Sequence, residues 1–421
     1  MLPITSERKA EIGVLKDELE KWVGKEEILW KQRAKAHWLV AGDRNTTFFH
    51  SKANERRIQK EIKKLTDETG QEVVSKEGIQ HVILNYFRSM FESTHPTEEA
   101  MEAVVNCIKP RVTTAMNEVL AQPFTSEEIT IALKQMHPLK SPGPDDMSPI
   151  FYQKYWSIVG PEVNYLILNF LNHDTLNPLI NYTHIVLIPK CPNPSNMSHF
   201  RLISLCNVIY KLASNVIANR VKPFLGALIS DSQSTFVPGR LIMDNMLLAY
   251  ELNHFLKHKT WGRKGHSSIK LDISKAYDRV EWVFLERVLG RLGFNEGFVQ
   301  LVMKCVSIVL FSFFLNGEQF GFLSLERDLR QGDPLSPYLF LFCAEAFSGL
   351  IRKAESEGTI EGVVVSRAAP PVSHLLFADD TLIFCQATKE ALSSRQLVLT
   401  SFKAASGLMI DKGKSAIVGS F

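Results

Sequence analysis

We predict an α+β fold for this chain of 421 residues. Beyond Pro123, short apolar runs of strand length, IVLIP (185–189), SIKLDI (268–273), HLLF (374–377) and TLIF (381–384), alternate with longer helical patterns over 206–229 and 338–353. Turns rich in proline and glycine separate them, namely SPGPDD, FVPGR and RQGDPLSP. Strands mixed with helices in this way are typical of an α/β or α+β domain, and α+β is the class we expect.

The first third of the chain is predicted to be mainly helical. Residues 5–38 show helical periodicity, and Gly42-Asp43 ends this helix before a short second one that begins near Asn45. A small hairpin around Thr69-Gly70 and a helix over 77–91 follow. The stretch 93–122 is less apolar and contains two prolines, so it is the best candidate for a linker.

Charge is distributed unevenly along the chain. The net charge is only +3, yet residues 31–64 carry 10 Lys/Arg against 3 Asp/Glu. A basic segment attached to a mildly acidic body often contacts a polyanion such as RNA, although a solvated helix face is the commoner explanation of a charge run. Trp38, Phe48 and Phe49 within it could stack on bases or belong to a core.

Membrane and disulfide-rich classes are disfavoured. The start, MLPITSERKAE, does not resemble a signal peptide, and the most apolar run, SIVLFSFFL (307–315), is far shorter than the roughly 20 residues of a membrane span. The six cysteines are scattered without a CxxC motif, which argues against structural zinc and for a reducing compartment. We expect an intracellular protein of the cytoplasm or nucleus.

The stretch HLLFADDTLIF places two adjacent carboxylates, Asp379 and Asp380, between two apolar β-prone runs. Alone it reads as a hairpin with an acidic surface turn. A second β-like run, SIKLDISKAYD, ends on Asp272. If the strands are neighbours, the three carboxylates converge, and their repulsion requires neutralising cations. Oxygen ligands suit two Mg²⁺ ions, or Mn²⁺, the arrangement used for phosphoryl transfer.

The order of the motifs resembles the reverse transcriptases of non-LTR retrotransposons of the long interspersed element type, as found in plants. After WLVAGDRNTTFFH (38–50), the matching segments are SPGPDDMSPIFYQKYW, HIVLIPK, FRLISLCNVIYKLASNVIANRVKPFL, QSTFVPGRLIMDN, KLDISKAYDRVEW, RQGDPLSP, FADD and SGLMIDKGKS. The resemblance implies a right-hand polymerase palm and fingers behind an N-terminal helical extension. The expected boundaries are 1–120 for the extension, 121–265 for fingers with parts of the palm, and 266–421 for the palm.

The same resemblance implies that the thumb is missing, since the chain ends at Phe421, soon after SGLMIDKGKS. We therefore expect a truncated copy that lacks the primer-gripping hairpin and helical thumb of the family.

For the metals, the resemblance implies that Asp272 and Asp379 bind the two ions, that Asp380 supports them, and that the Ile273 carbonyl is an additional ligand. It also assigns nucleotide or template contacts to Lys190, Arg201, Tyr277, Gln331, Gly332 and Lys414. Tyr277 matches the ring that excludes a ribose 2′-hydroxyl, and it could equally be a packing aromatic. Lys414 matches a proton donor to pyrophosphate. Each cation alone could be solvated, and Arg240 of PGR could shape a turn or contact nucleic acid.

Four residues depart from the family pattern. Asp146 stands where the family has glycine in SPGPDG, and Asp328 replaces the glycine of GLRQGDPLS. Leu202 replaces the proline of FRPIS, and His199 replaces an acidic residue before it. If the backbone at position 146 needs a positive φ, aspartate tolerates it better than most residues. Asp328 would add a negative charge beside a loop expected to approach nucleic acid.

The function implied is that of an RNA-directed DNA polymerase, which joins dNTPs to a DNA primer on an RNA template. Two alternatives stay open. One is a catalytically weak or inactive remnant that at most binds RNA. The other is an RNA-templated RNA polymerase, against which Tyr277 argues, because such enzymes must admit the 2′-hydroxyl. The sequence does not predict the oligomeric state.

Overall fold

A computed structural model describes residues 6–34, 46–173, 175, 177–259, 265–366 and 368–420. It has the mixed helices and strands of an α+β fold. The helices are α1 (Ser6–Ala34), α2 (Thr46–Lys60), α3 (Lys76–Phe91), α4 (Glu98–Val105), α5 (Thr114–Leu120), α6 (Ser126–Gln135), α7 (Pro149–His173), α8 (Val208–Val221), α9 (Leu225–Leu228), α10 (Ile242–His258), α11 (Trp282–Leu292), α12 (Glu296–Ser307), α13 (Ser336–Ser356) and α14 (Lys389–Ser406).

The strands are β1 (Leu65–Thr66), β2 (Glu72–Val73), β3 (Thr183–Pro189), β4 (Phe200–Cys206), β5 (His266–Ser274), β6 (Phe311–Leu315), β7 (Glu318–Leu323), β8 (His374–Phe377), β9 (Asp380–Gln386), β10 (Met409–Ile410) and β11 (Ala416–Ser420). The predicted strands IVLIP, SIKLDI, HLLF and TLIF are confirmed as parts of β3, β5, β8 and β9. The helical patterns over 206–229 and 338–353 are confirmed as α8 with α9 and as α13.

Three sheets are present in the described residues. One is antiparallel, with the order β10-β5-β9-β8, and β11 pairs with β5 on the same side as β10. The second has the order β4-β3-β6-β7, and its central pair β3 and β6 is parallel. The third is the predicted small hairpin of β1 and β2, confirmed around Gly70. None of the described helices combines the length and hydropathy needed to cross a membrane.

The chain divides into two compact units. The smaller contains the described residues of Met1–Ile79, Ile188–Arg201 and Leu315–Glu318. Helices α1 and α2 pack together in it, and Phe49 is buried between Trp30 and Phe48. Burial of Phe49 favours the core interpretation of this aromatic over base stacking. The predicted helix over 5–38 is confirmed through Ala34, and its remainder, with Trp38 and Gly42-Asp43, lies outside the described residues.

The larger unit, formed by the described residues of Gln80–Leu187, Leu202–Phe314 and Gln319–Phe421, contains the main hydrophobic core. Helix α13 lies at its centre, with nearly every side chain from Leu339 to Ile351 buried. Ile269 and Leu271 of β5 and Ile383 of β9 face this core. On the other face of the sheet, α10 packs Leu252 and Leu256 against Phe384.

The prediction of a linker over 93–122 is wrong. Helices α4 and α5 lie within it, and Val104 and Ile108 are buried in the main core. Each helix begins at a threonine, Thr97 or Thr113, whose side chain accepts a backbone N–H of the first turn. These N-caps stabilise helices too short to show a clear apolar period, so the prolines and modest hydropathy suggested a linker instead.

A buried histidine joins β8 to α13. His374 Nε2 lies 2.9 Å from Ser348 Oγ and 3.1 Å from Ser232 Oγ, and its Nδ1 lies 2.9 Å from Ser373 Oγ. Burial, reinforced by the positive charge of Arg352, lowers the pKa of His374 to about 3. The imidazole is therefore neutral at neutral pH.

We predict that His374 contributes to acid unfolding. The pKa of this histidine in the unfolded chain lies near 6.5, so the contribution of His374 to stability is full above that pH. The contribution is lost as the pH falls from there toward the folded pKa, and the total loss of unfolding free energy is roughly a few kcal/mol at most. His374→Gln keeps a polar side chain that does not titrate. Urea denaturation at pH 7 and pH 4.5 is expected to show a smaller loss of unfolding free energy in the variant, and parallel losses would contradict the assignment.

Candidate active site

The carboxylates of HLLFADDTLIF lie at the turn of the β8–β9 hairpin. Phe377 pairs with Asp380, so the turn consists of Ala378 and Asp379. Ala378 has φ of +58°, a left-handed conformation that is uncommon for a residue with a side chain. Asp379 is exposed at this turn, whereas Thr381 and the residues beyond it enter the core. The apolar arms therefore anchor an acidic tip.

Asp272 lies directly opposite Asp380 in the β5–β9 ladder. The Asp272 carbonyl accepts the Asp411 N–H at 2.8 Å, and its N–H points to Ser415, so both backbone groups face away from β9. The Asp272–Asp380 pair is thus a non-hydrogen-bonded pair, the closer of the two antiparallel types, with Cα atoms about 4.5 Å apart. Like charges in this position destabilise a sheet.

These two carboxylates share one face of the sheet with Lys270. Cross-strand partners point to the same face and alternate residues along a strand do too, so Lys270, Asp272 and Asp380 lie together. Ile269 and Leu271 point to the opposite face, into the core. The apolar-polar alternation of SIKLDI therefore places Asp272 on the face of the sheet that points away from the main core.

Two lysines partly neutralise this acidic face. Lys270 Nζ lies 3.4 Å from Asp380 Oδ1, and Lys414 Nζ lies 3.5 Å from Asp272 Oδ1. Lys414 also lies 3.3 Å from Asp411 Oδ2. Hydrogen bonding to Asp411 and the charge of Asp272 raise the pKa of Lys414, which keeps it protonated. The predicted Lys414 therefore does lie beside a predicted carboxylate.

The pKa of Asp379 is affected by the charges of the other two carboxylates. Partial burial against the surrounding protein raises the pKa of Asp379 even though the residue has an exposed face. The charges of Asp380 and Asp272 raise this pKa further, while Lys414 lowers it. The charges of Asp380 and Asp272 therefore act on Asp379 in the same direction as its burial.

Among the described residues, no group of three or more His, Cys, Asp or Glu side chains is arranged to hold a metal ion. Asp272 and Asp380 instead lie beside ammonium groups. The Ile273 carbonyl is oriented differently from that of Asp272. Because backbone groups alternate along a strand, it points toward the β9 side, where Asp379 follows the last ladder pair.

Tyr277 is located where both of its proposed roles are compatible. It begins a short 3₁₀ turn after β5, and its ring stacks on Phe340 with centroids 4.9 Å apart. Burial raises its pKa, and the charge of Asp379 raises it further, which places the phenol near that carboxylate. The ring is therefore a packing aromatic whose hydroxyl lies within electrostatic range of Asp379.

A buried network of an ion pair and hydrogen bonds holds the loop RQGDPLSP. Arg330 Nη2 donates to the Cys305 carbonyl at 2.6 Å and lies 3.2 Å from Asp333 Oδ2. Tyr210 donates to the same Asp333 oxygen at 2.7 Å, and the Arg330 guanidinium lies over its ring. A buried, fully bonded ion pair of this kind fixes loop geometry because neither partner can reach water.

Gln331 and Gly332 lie in the loop between the paired residues Arg330 and Asp333. The Gln331 carbonyl accepts the Ser204 N–H at 3.0 Å, and its Nε2 lies 3.4 Å from Asp278 Oδ1. Gly332 is exposed and has φ of +122°. A Cβ added to it would lie 2.9 Å from the Ser204 carbonyl oxygen, so both conformation and space require glycine here.

The predicted finger cations belong to the smaller unit. Lys190 Nζ donates to the Ser198 carbonyl at 3.0 Å, and the Lys190 N–H donates to the His199 carbonyl at 2.8 Å. Arg201 is exposed on β4, between the buried Phe200 and Leu202. The carboxylates belong to the larger unit.

The departures from the family pattern have structural explanations. Asp146 has φ of +55°, so this position does need the left-handed backbone at which the family has glycine. Leu202 is buried in β4. Asp328 is buried as well, and burial, together with the charge of Asp278, raises its pKa well above the usual range. The carboxyl that we expected to add a negative charge beside the loop is therefore buried, in surroundings that favour its neutral form.

Sequence reasoning missed several residues that shape the site, namely Tyr210, Gln233, Lys270, Arg330 and Asp333. All lie in or beside quoted motifs, but their roles depend on tertiary neighbours. Arg240, considered as a turn or nucleic-acid residue, donates to the carbonyls of Gly226, Ile229, Ser230 and Gln233. It therefore holds the turn.

Comparison with known proteins identifies the family. Residues 188–420, more than half of the chain, match the model of the family described as reverse transcriptase (RNA-dependent DNA polymerase). An uncharacterized 149 kDa protein of transposon TX1 from Xenopus laevis is 28% identical over 386 residues, which are 91% of this chain and 29% of that protein.

Two further relatives cover smaller parts. An uncharacterized mitochondrial protein of Arabidopsis thaliana is 54% identical over 69 residues, 16% of this chain and 57% of that protein. The retrovirus-related Pol polyprotein from the type-1 retrotransposable element R2 of Popillia japonica is 26% identical over 298 residues, 70% of this chain and 39% of that protein. The chain thus spans less than two thirds of each of these relatives.

We predict that Gly332→Ala destabilises the protein by about 1–3 kcal/mol, because it combines a strained φ with a contact to the Ser204 carbonyl. Gly239→Ala is the matched control, since Gly239 has φ of +79° but nothing lies within 4 Å of an added Cβ. Urea midpoints are expected to fall further for Gly332→Ala. Equal losses would show that the close contact contributes nothing.

We predict that Asp379→Asn increases stability at neutral pH when no divalent ion is present. A raised folded pKa gives a contribution that is present at acid pH and lost as pH rises through that pKa, so removing the charge stabilises above it. Asp411→Asn is the opposite-sign control: desolvation acts against the shift, but hydrogen bonds from Lys414 and Gly413 lower the pKa of Asp411 overall. Thermal unfolding at pH 4 and pH 7.5 distinguishes the two. A neutral-pH loss of stability in Asp379→Asn would contradict the prediction.

Proposed function

Because the chain belongs to the reverse transcriptase (RNA-dependent DNA polymerase) family, we propose that it adds dNTPs to the 3′-hydroxyl of a DNA primer annealed to an RNA template. The arrangement that carries this proposal is Asp272 opposite Asp380, with Asp379 at the adjoining turn. Three carboxylates on one exposed end of a sheet repel one another and are unfavourable for folding. The same carboxylates are suited to bind the divalent cations that accompany the phosphates of a nucleotide substrate.

We further propose a non-LTR retrotransposon as the origin of the chain. Relatives bear the names of transposon TX1 and retrotransposable element R2, and together they align along most of this sequence. The plant relative, at 54% identity over a short stretch, supports a plant-type element.

The residues present suit two Mg²⁺ ions, or Mn²⁺. Carboxylates of Asp272, Asp379 and Asp380, with the Ile273 carbonyl directed toward β9, supply the hard oxygen ligands that these ions prefer. When bound, such ions lower the pKa of a primer hydroxyl and neutralise charge on a triphosphate. Burial and, after it, the charges of Asp380 and Asp272 raise the pKa of Asp379, and a cation bound beside these carboxylates would act in the opposite direction.

Other residues of the chain have roles that do not depend on the ions. The stacked, half-buried ring of Tyr277 lies within electrostatic range of Asp379 and would exclude a ribose 2′-hydroxyl by bulk. Gln331 and Gly332 present a rigid backbone that nucleotide and template can approach closely. Lys414 is held protonated beside Asp272, where it can donate a proton to the leaving pyrophosphate. Lys190 and the exposed Arg201 would contact the triphosphate or the template backbone.

Primer extension on poly(rA)/oligo(dT) with Mg²⁺ or Mn²⁺ tests this proposal. We expect divalent-dependent dTTP incorporation by the wild-type chain and a loss of at least a hundredfold in Asp379→Asn. Thermal unfolding of the variant in the assay buffer checks that its inactivity does not reflect unfolding. Incorporation no higher than in the variant would overturn the catalytic proposal.

The second candidate is a non-catalytic copy that binds RNA. The observation that favours it is the pairing of Asp272 with Lys414 and of Asp380 with Lys270, because both carboxylates have cationic partners without an ion. Salt-dependent RNA binding that is equal in wild type and Asp379→Asn, without incorporation by either, would support this candidate.

A further inference from the structure

The turn that carries Asp379 is held by a loop distant in sequence. Residues 230–240, which contain QSTFVPGR, run beside the β8–β9 hairpin. The Leu376 N–H donates to the Ser232 carbonyl at 2.8 Å, and Gln233 forms an isolated parallel bridge with Leu376. Asn245 of α10 donates to the same Ser232 carbonyl at 2.9 Å. Successive residues of the loop, Ser232 and Gln233, therefore contact the β8 strand just before its turn.

At the turn itself the contact comes from a side chain. Gln233 Oε1 accepts the Ala378 N–H at 3.2 Å and the Thr235 N–H at 3.0 Å. Gln233 is only 1% exposed, so no water competes for these bonds. Ala378 has the left-handed φ of +58°, a conformation that costs of order 1 kcal/mol for a residue other than glycine and persists only where the surroundings hold it.

The other end of the Gln233 amide has a different environment. The Gln233 Nε2 atom is buried and has no hydrogen-bond partner among the described residues. An amide buried with one end unsatisfied is unfavourable, so the favourable interactions of this side chain come from its oxygen. Both N–H groups that it accepts belong to tight backbone segments, one in its own loop and one at the hairpin turn.

We infer that Gln233 is a positioning residue: its buried carboxamide oxygen fixes the Ala378 amide and thereby the direction in which Asp379 leaves the hairpin. The consequence for polymerisation rests on the proposed function. Gln233 itself does not touch the reacting atoms. Without it the Ala378 turn can relax toward an ordinary backbone conformation, which rotates the Asp379 carboxylate away from Asp272.

The test compares Gln233→Leu, which has similar volume and no acceptor, with Gln233→Glu, which keeps an acceptor oxygen of the same reach. Hydrogen exchange followed by mass spectrometry on the peptide over 375–384 needs neither substrate nor metal. We expect exchange at the turn to accelerate about tenfold or more in Gln233→Leu and to stay near wild type in Gln233→Glu. Peptides from β5 are expected to be unchanged.

Ser234→Ala is the matched control, because Ser234 is the buried neighbour of Gln233 and its Oγ has no hydrogen-bond partner among the described residues. Gln233→Asn, shorter by one methylene, repeats the test if the leucine variant fails to fold. Unchanged exchange at the turn in a folded Gln233→Leu or Gln233→Asn, or equal effects in Ser234→Ala, would overturn the inference.

Primer extension provides the second measurement. In Gln233→Leu we expect kcat to fall by about 10- to 100-fold with the KM for dTTP nearly unchanged, and Gln233→Glu to recover most of the rate. A merely structural role would lower the amount of folded enzyme without this rescue. If the wild type does not polymerise, the proposed function fails, while the exchange experiment still decides the role of Gln233.

Discussion

The repulsion between Asp272 and Asp380 is the constraint on which the rest of the site depends. The two residues face each other in a non-hydrogen-bonded pair, the position where antiparallel strands bring side chains closest, and Asp379 follows at the turn. No rearrangement of a side chain removes this conflict, because the register of β5 with β9 creates it. Burial of Ile269, Leu271 and Ile383 fixes that register, since a slip of one residue would turn these side chains into water.

Such a site needs rigid surroundings, and the molecule supplies them through buried polar contacts. Arg330, Asp333 and Tyr210 hold the loop with Gln331 and Gly332, while Gln233 reaches the hairpin turn. These groups are bonded inside the protein, so they keep two glycine- or turn-containing segments in one conformation. Stability from the apolar core thus supports the backbone conformation of Ala378, which is unfavourable for a residue with a side chain, while glycine at position 332 adopts its positive φ without that cost.

Much of the fold was predictable because its strands are short apolar runs with sharp turns, as in β3, β5, β8 and β9. The interpretation of the carboxylates required β5 and β9 to be neighbours, and they are. The prediction failed where local caps outweigh hydropathy, at Thr97 and Thr113, and where burial changes a charge, at Asp328. Lys270 and Gln233 could not be found from sequence, because their partners are set by register and by a loop contact more than 100 residues away.

The two lysines of the acidic face have a consequence for how the chain is made. Lys270 lies on the same strand as Asp272, two residues away, and Lys414 follows β10, which pairs with that strand. This partial neutralisation is therefore in place as soon as the sheet assembles. A newly synthesised chain can reach its native sheet before any ion or nucleic acid is available, and an arriving ion enters a face whose charge is already partly balanced. Binding of the ion then replaces a lysine ammonium group beside the carboxylates with a divalent cation. The folded sheet therefore does not require a bound ion or nucleic acid to remain stable.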